Sequence, residues 1–147
     1  MLRSVNSYRK GTTIIEQLAI LTLLGILLAV GVPAGTRLLD RAAVRSAARD
    51  ALDAFASARD HAVAGGHRVA VHISASEARL VVHAGKDTMS RVLLGETHGV
   101  DIHMSRDSMA YAPTGLGWGA SNLRLVISKR SESDTITLSR LGRARMN

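Results

Sequence analysis

The sequence predicts an α+β fold in which a long N-terminal helix, membrane-spanning in its first half, packs on a small, mostly antiparallel β-sheet domain. Three observations carry this. Residues 17–36 contain no formal charge, residues 37–64 continue without Gly or Pro at a helical apolar period, and beyond Gly65-Gly66 the apolar period drops to two. The 147 residues suit one domain with a modest core. The absence of cysteine rules out a disulfide framework and a thiolate metal site. With one Trp, one Phe and two Tyr, that core must be built from aliphatic side chains and Met.

The first element is the membrane segment. Residues 1–11 carry Arg3, Arg9 and Lys10 with no acid. The uncharged run that follows, at ~1.5 Å per helical residue, matches a hydrocarbon layer of roughly 30 Å. The basic flank places the N-terminus in the cytoplasm, with the remainder across the membrane, in the periplasm where the cell has one. Arg37 and Arg41 on the far side weaken that asymmetry. A cleaved secretory signal is the first alternative, but Ala34-Gly35-Thr36 forms no clear small-x-small cleavage site. A simple signal anchor is the second, and it leaves Glu16 unexplained. A carboxylate one turn into an apolar segment costs several kcal/mol unless it is paired or protonated. Its local partners are the interface, Arg9 or Lys10; its distant one is a positive group on a neighbouring helix.

The helix is expected to continue past Pro33, because membrane helices tolerate the lost hydrogen bond. Val44, Ala48, Leu52, Phe55 and Ala62 form one apolar stripe, while Arg41, Arg45, Arg49 and Asp53 descend the other side at intervals of four. Gly65-Gly66 supplies the stop. A helix over 12–64 would be roughly 80 Å long. After it, residues 67–73 alternate, with Val69, Val71 and Ile73 on one face, and 78–84 follows as the hairpin mate. Further strands are expected at 89–94, 100–104, 122–128 and 135–139, forming one small sheet that covers the helix stripe.

The junction Lys10-Gly11/Thr12, with Glu16 and Pro33 downstream, resembles the N-terminal signature of type IV prepilins and type II secretion pseudopilins. That family has a basic leader ending in Gly, Glu at mature position five and Pro at mature position twenty-two. Thr12 departs from the usual Phe. The remainder resembles the branch with the H-type minor pseudopilin and the FimT-like minor pilins, through YAPTG at 111–115 and LGRAR at 141–145. The cysteines frequent in FimT-like members are absent. The resemblance implies a pilin-like fold and cleavage between Gly11 and Thr12 by a prepilin peptidase, followed by N-methylation of Thr12. It also implies assembly through Glu16 and Pro33 with other minor and major pilin or pseudopilin subunits at the inner membrane. On this reading 1–11 is the leader, 12–64 the long helix with its transmembrane segment at about 14–36, and 65–147 the periplasmic β-domain with a basic tail. The chain would be a non-enzymatic structural subunit of a secretion pseudopilus or type IV pilus, without cofactors.

Removing the leader would lower the formal charge from +7 to +4, of which Arg140, Arg143 and Arg145 supply +3. Such a cluster suits salt-sensitive contact with DNA phosphates, and its GRAR matches the motif associated with DNA binding in FimT-like competence pilins. A DNA-binding minor pilin is therefore one alternative, and a simple membrane-anchored periplasmic protein another. The plain reading of the cluster is a solvated tail or a rim of subunit contact. No nucleophile elbow is present, and PTGLGWG at 113–119 lacks the Lys-Ser/Thr of a phosphate loop and reads as a surface loop. Trp118 within it is either an interaction anchor or folded back over the core. His98, Asp101 and His103 form the closest mixed set, but match no zinc spacing.

Overall fold

The computed structural model describes residues 13–119 and 121–147. Gly11 and Thr12 lie outside the described residues. The chain divides into two compact units after Thr36. In the first, helix α1 (Ile14–Gly65) begins, with Thr13 as its N-terminal cap: the Thr13 Oγ1 accepts the Glu16 N–H at 3.3 Å. Pro33 lies inside α1. Its carbonyl accepts a hydrogen bond from the Thr36 hydroxyl at 3.0 Å, a back-bond onto the preceding turn of the kind Ser and Thr make within helices. The apolar side chains of this unit are uncovered, from Ile14 at 80% exposure to Leu24 at 49%.

In the second unit the rest of α1 turns Asp40, Val44, Ala47, Ala48, Ala51, Ala54, Phe55, Ala58 and Ala62 into the core. Four of the five expected stripe residues are buried, and Leu52 is half-buried at the edge. The stripe is mostly alanine, and Phe55 supplies its bulk. The strands form two sheets where the sequence predicts one. Strands β1 (Val69–Ser74), β2 (Arg79–Ala84), β3 (Asp87–Leu93) and β5 (Ser108–Tyr111) form a sheet of order β3-β2-β1-β5. Strands β4 (Asp101–Met104), β6 (Leu123–Lys129), β7 (Glu132–Leu138) and β8 (Ala144–Met146) form a second, of order β4-β6-β7-β8. All six pairings are antiparallel.

Between β3 and β4 stands the short helix α2 (Leu94–His98), whose Leu94 is buried and whose end is closed by Gly99 in the left-handed conformation. It carries the chain from the edge of the first sheet to the start of the second. Val69, Val71 and Ile73 point inward and His72 outward, as the alternation requires. Leu123, Leu125, Ile127, Ile136 and Leu138 do the same from the second sheet, and one apolar cluster joins both sheets to α1.

Candidate functional site

The two C-terminal motifs, distant in sequence, meet in space. Tyr111 ends β5 with its ring buried, and Gly115 follows in a turn at φ +77°. Gly142 lies in the tight turn that joins β7 to β8, closed by the Ser139 N–H to the Arg143 carbonyl at 3.0 Å and the Gly142 N–H to the Ser139 carbonyl at 3.0 Å. Its φ is +71°, and a Cβ there would collide with the Gly115 carbonyl and come within 3.1 Å of the Tyr111 ring. The glycine is thus required by backbone conformation and by close packing. Arg59 of α1 completes the junction, donating from Nε to the Gly115 carbonyl at 2.9 Å.

A cleft of about 390 Å³ opens beside this junction, lined among others by Asp53, Arg59, Tyr111, Arg143 and Arg145. Three guanidinium groups face one carboxylate, which makes the cleft receptive to anions. Burial pushes the Tyr111 hydroxyl up to about 12, against a smaller opposing pull from Arg59, so it stays a neutral donor at physiological pH. Among the described residues, the lining contains no His, Ser or Cys.

The expected tail is a built element. Arg145 is registered opposite Thr137 in β8, with Arg143 immediately before the strand. Both are exposed, as is Arg140, whose carbonyl accepts the Gly117 N–H at 3.0 Å. Arg143 and Arg145 share the cleft, and Arg140 does not line it. Trp118 is 54% exposed rather than folded into the core, and its ring stacks with the Arg68 guanidinium at 5.8 Å. The Trp118 backbone N–H donates to the Ala110 carbonyl at 2.8 Å, which fixes the loop along the edge of β5.

Glu16 stands in the first turn of α1, three residues after the Thr13 cap. This Thr-x-x-Glu spacing, legible in the sequence, gives the carboxylate a local role at the positive end of the helix dipole. His98 turns away from Asp101 and His103: its Nε2 pairs with Asp50 Oδ2 of α1 at 2.7 Å, and its carbonyl accepts from Lys129 Nζ at 2.6 Å. Asp101 and His103 are exposed on β4. No group of three or more potential metal ligands occurs among the described residues. Asp40, buried at the start of the domain, accepts from the Arg130 guanidinium at 3.0 Å. Arg59, Asp40–Arg130 and Asp50–His98 carry no local sequence signal, since each pairs residues more than forty positions apart.

No family model and no curated protein matches the sequence. Solved structures do match in shape. The type IV minor pilin FimU of Pseudomonas aeruginosa superposes with a TM-score of 0.63 at 12% identity, over 75% of this chain and 92% of that one; its second crystal form gives 0.59. The minor pseudopilin EpsH from the Type 2 Secretion System of Vibrio cholerae gives 0.57 at 15% identity, over 71% of this chain and 95% of that one. The chain therefore has the pilin-like fold: a long N-terminal helix, apolar in its first half, against a small antiparallel β-domain.

Proposed function

We propose that this chain is a non-enzymatic minor subunit of a type IV pilus or type II secretion pseudopilus, held in the inner membrane before assembly. The observation that carries this is a folded β-domain attached to a helix whose first half leaves every large apolar side chain from Ile14 to Val32 about half or more exposed. The helix is long and apolar enough to cross a membrane. Such a surface needs lipid and, in a filament, neighbouring helices. The fold shared with a minor pilin and a minor pseudopilin supports the same reading. The prepilin peptidase would act between Gly11 and Thr12, and Glu16 would then answer the new amine of an adjacent subunit.

Glu16→Gln separates this role from helix capping. Gln can make the same capping-box hydrogen bond and gives up only the ~0.3–1 kcal/mol of charge–dipole attraction, but it cannot form an ion pair. The variant is expected to insert in the membrane normally and to vanish from sheared filaments; undiminished recovery in filaments would contradict the assignment. A second reading, a DNA-uptake subunit, is favoured by one feature, the convergence of Arg59, Arg143 and Arg145 on one cleft.

A further inference from the structure

We propose that Arg37, Arg41, Arg45 and Arg49 form a docking ridge on α1 for a carboxylate-bearing helix of a neighbouring subunit, an inference that rests on the filament reading above. All four are exposed, and among the described residues none forms an ion pair. Spacing of four places successive guanidinium groups beside one another, an arrangement that is self-repulsive within an isolated helix. It also makes them one of the oblique side-chain rows that pack into the groove of a second helix. The row winds around α1. Arg41 and Arg45 share a cleft with Glu132 and Asp134, which temper their charge from the side of the second sheet. Arg45 and Arg49 continue onto the face away from the core, where the groove is lined by Leu38, Arg41, Ala42, Arg45, Ser46 and Arg49 and holds no acid.

The shape of the row selects the partner. From Arg37 to Arg49 the helix rises by about 18 Å, whereas the headgroup layer beyond the hydrocarbon is roughly 5–7 Å deep. Lipid phosphates would reach Arg37 and Arg41, leaving Arg45 and Arg49 beyond them. A rod-like partner lying along α1, with carboxylates at three- or four-residue spacing, satisfies the whole row. Ala42 and Ser46 leave the guanidinium groups of Arg45 and Arg49 uncovered.

The test uses the full chain in its native membrane with the other subunits of its filament. Arg45→Glu/Arg49→Glu is expected to reduce recovery in sheared filaments about tenfold or more, and Arg45→Lys/Arg49→Lys to keep it within about threefold, because Lys preserves the charge. An acid-to-Lys change on the helix of a co-assembled subunit that restores the reversed variant would identify the facing row. Thermal unfolding of both variants should match the parent, since neither residue enters the core. A parent chain found in filaments together with an equally abundant reversed variant overturns the ridge and leaves the subunit reading intact. A parent chain absent from filaments overturns the subunit reading itself. Loss caused only by Arg37→Glu/Arg41→Glu, with parallel loss of binding to phosphatidylglycerol vesicles, would assign the row to lipid and overturn the proposal.

Discussion

Gly142→Ala probes the junction on which the C-terminal half of the domain depends. The added methyl group meets two obstacles. A left-handed backbone costs a non-glycine residue roughly 1–2 kcal/mol, and Gly142 sits at φ +71°. The new Cβ also drives into the Gly115 carbonyl and to 3.1 Å from the Tyr111 ring, both held in place by β5 and Arg59. Overpacking of such a site costs about 1–3 kcal/mol. A combined loss near 3 kcal/mol lowers the melting temperature of a domain this size by roughly 10 °C or more. The assay is thermal unfolding of the full chain in detergent, followed by circular dichroism. Arg143→Ala and Arg145→Ala serve as controls. Both side chains are exposed, and each substitution should change stability by no more than about 0.5 kcal/mol. A Gly142→Ala protein that melts within about 2 °C of the parent would refute the packing role of this glycine.

Phe55→Ala removes the largest side chain that α1 places in the core and should cost about 3–5 kcal/mol by denaturant titration. Tyr111 gives a pH dependence whose sign follows from its raised value of about 12 against an ordinary 10. Between these limits the unfolded chain loses the proton first, so the Tyr111 contribution is intact below pH 10 and declines toward pH 12, by a few kcal/mol at most. Tyr111→Phe should abolish that share of the alkaline loss, seen as a difference between the two pH–stability curves. If the cleft binds nucleic acid, duplex affinity should fall steeply with salt and drop further in Arg143→Ala/Arg145→Ala. Equal affinity at low and high salt would dismiss the DNA-uptake reading.

Much of the fold is legible because its elements are long or strongly periodic. The uncharged run at 17–36 and the four-residue arginine spacing both mark α1, and Val69, Val71 and Ile73 mark β1. What escapes is short. Ser108–Tyr111 offers only Met109 and Tyr111 as alternating core residues between Arg106-Asp107 and Pro113, and Ala144–Met146 has only Ala144 turned toward the core. Missing these two strands, together with α2, turns two sheets into one. The site divides along similar lines. YAPTG and LGRAR are visible as motifs, but their contact through Tyr111 and Gly142 spans thirty-one positions and depends on strand order. Arg59 looks like one more exposed helical arginine until the Gly115 carbonyl is placed beside it. The Thr13–Glu16 cap was available from local spacing, and it supplies a second reason for the acid to stand where it does.

If this chain is made as a prepilin and becomes a filament subunit, the intact mass of the membrane-extracted protein records it. In cells that contain the prepilin peptidase, the mass should correspond to residues 12–147, with or without one added methyl group, and should return to that of the full 147 residues when the peptidase is absent. A chain that keeps residues 1–11 in the presence of active peptidase would be an ordinary membrane anchor and not a prepilin.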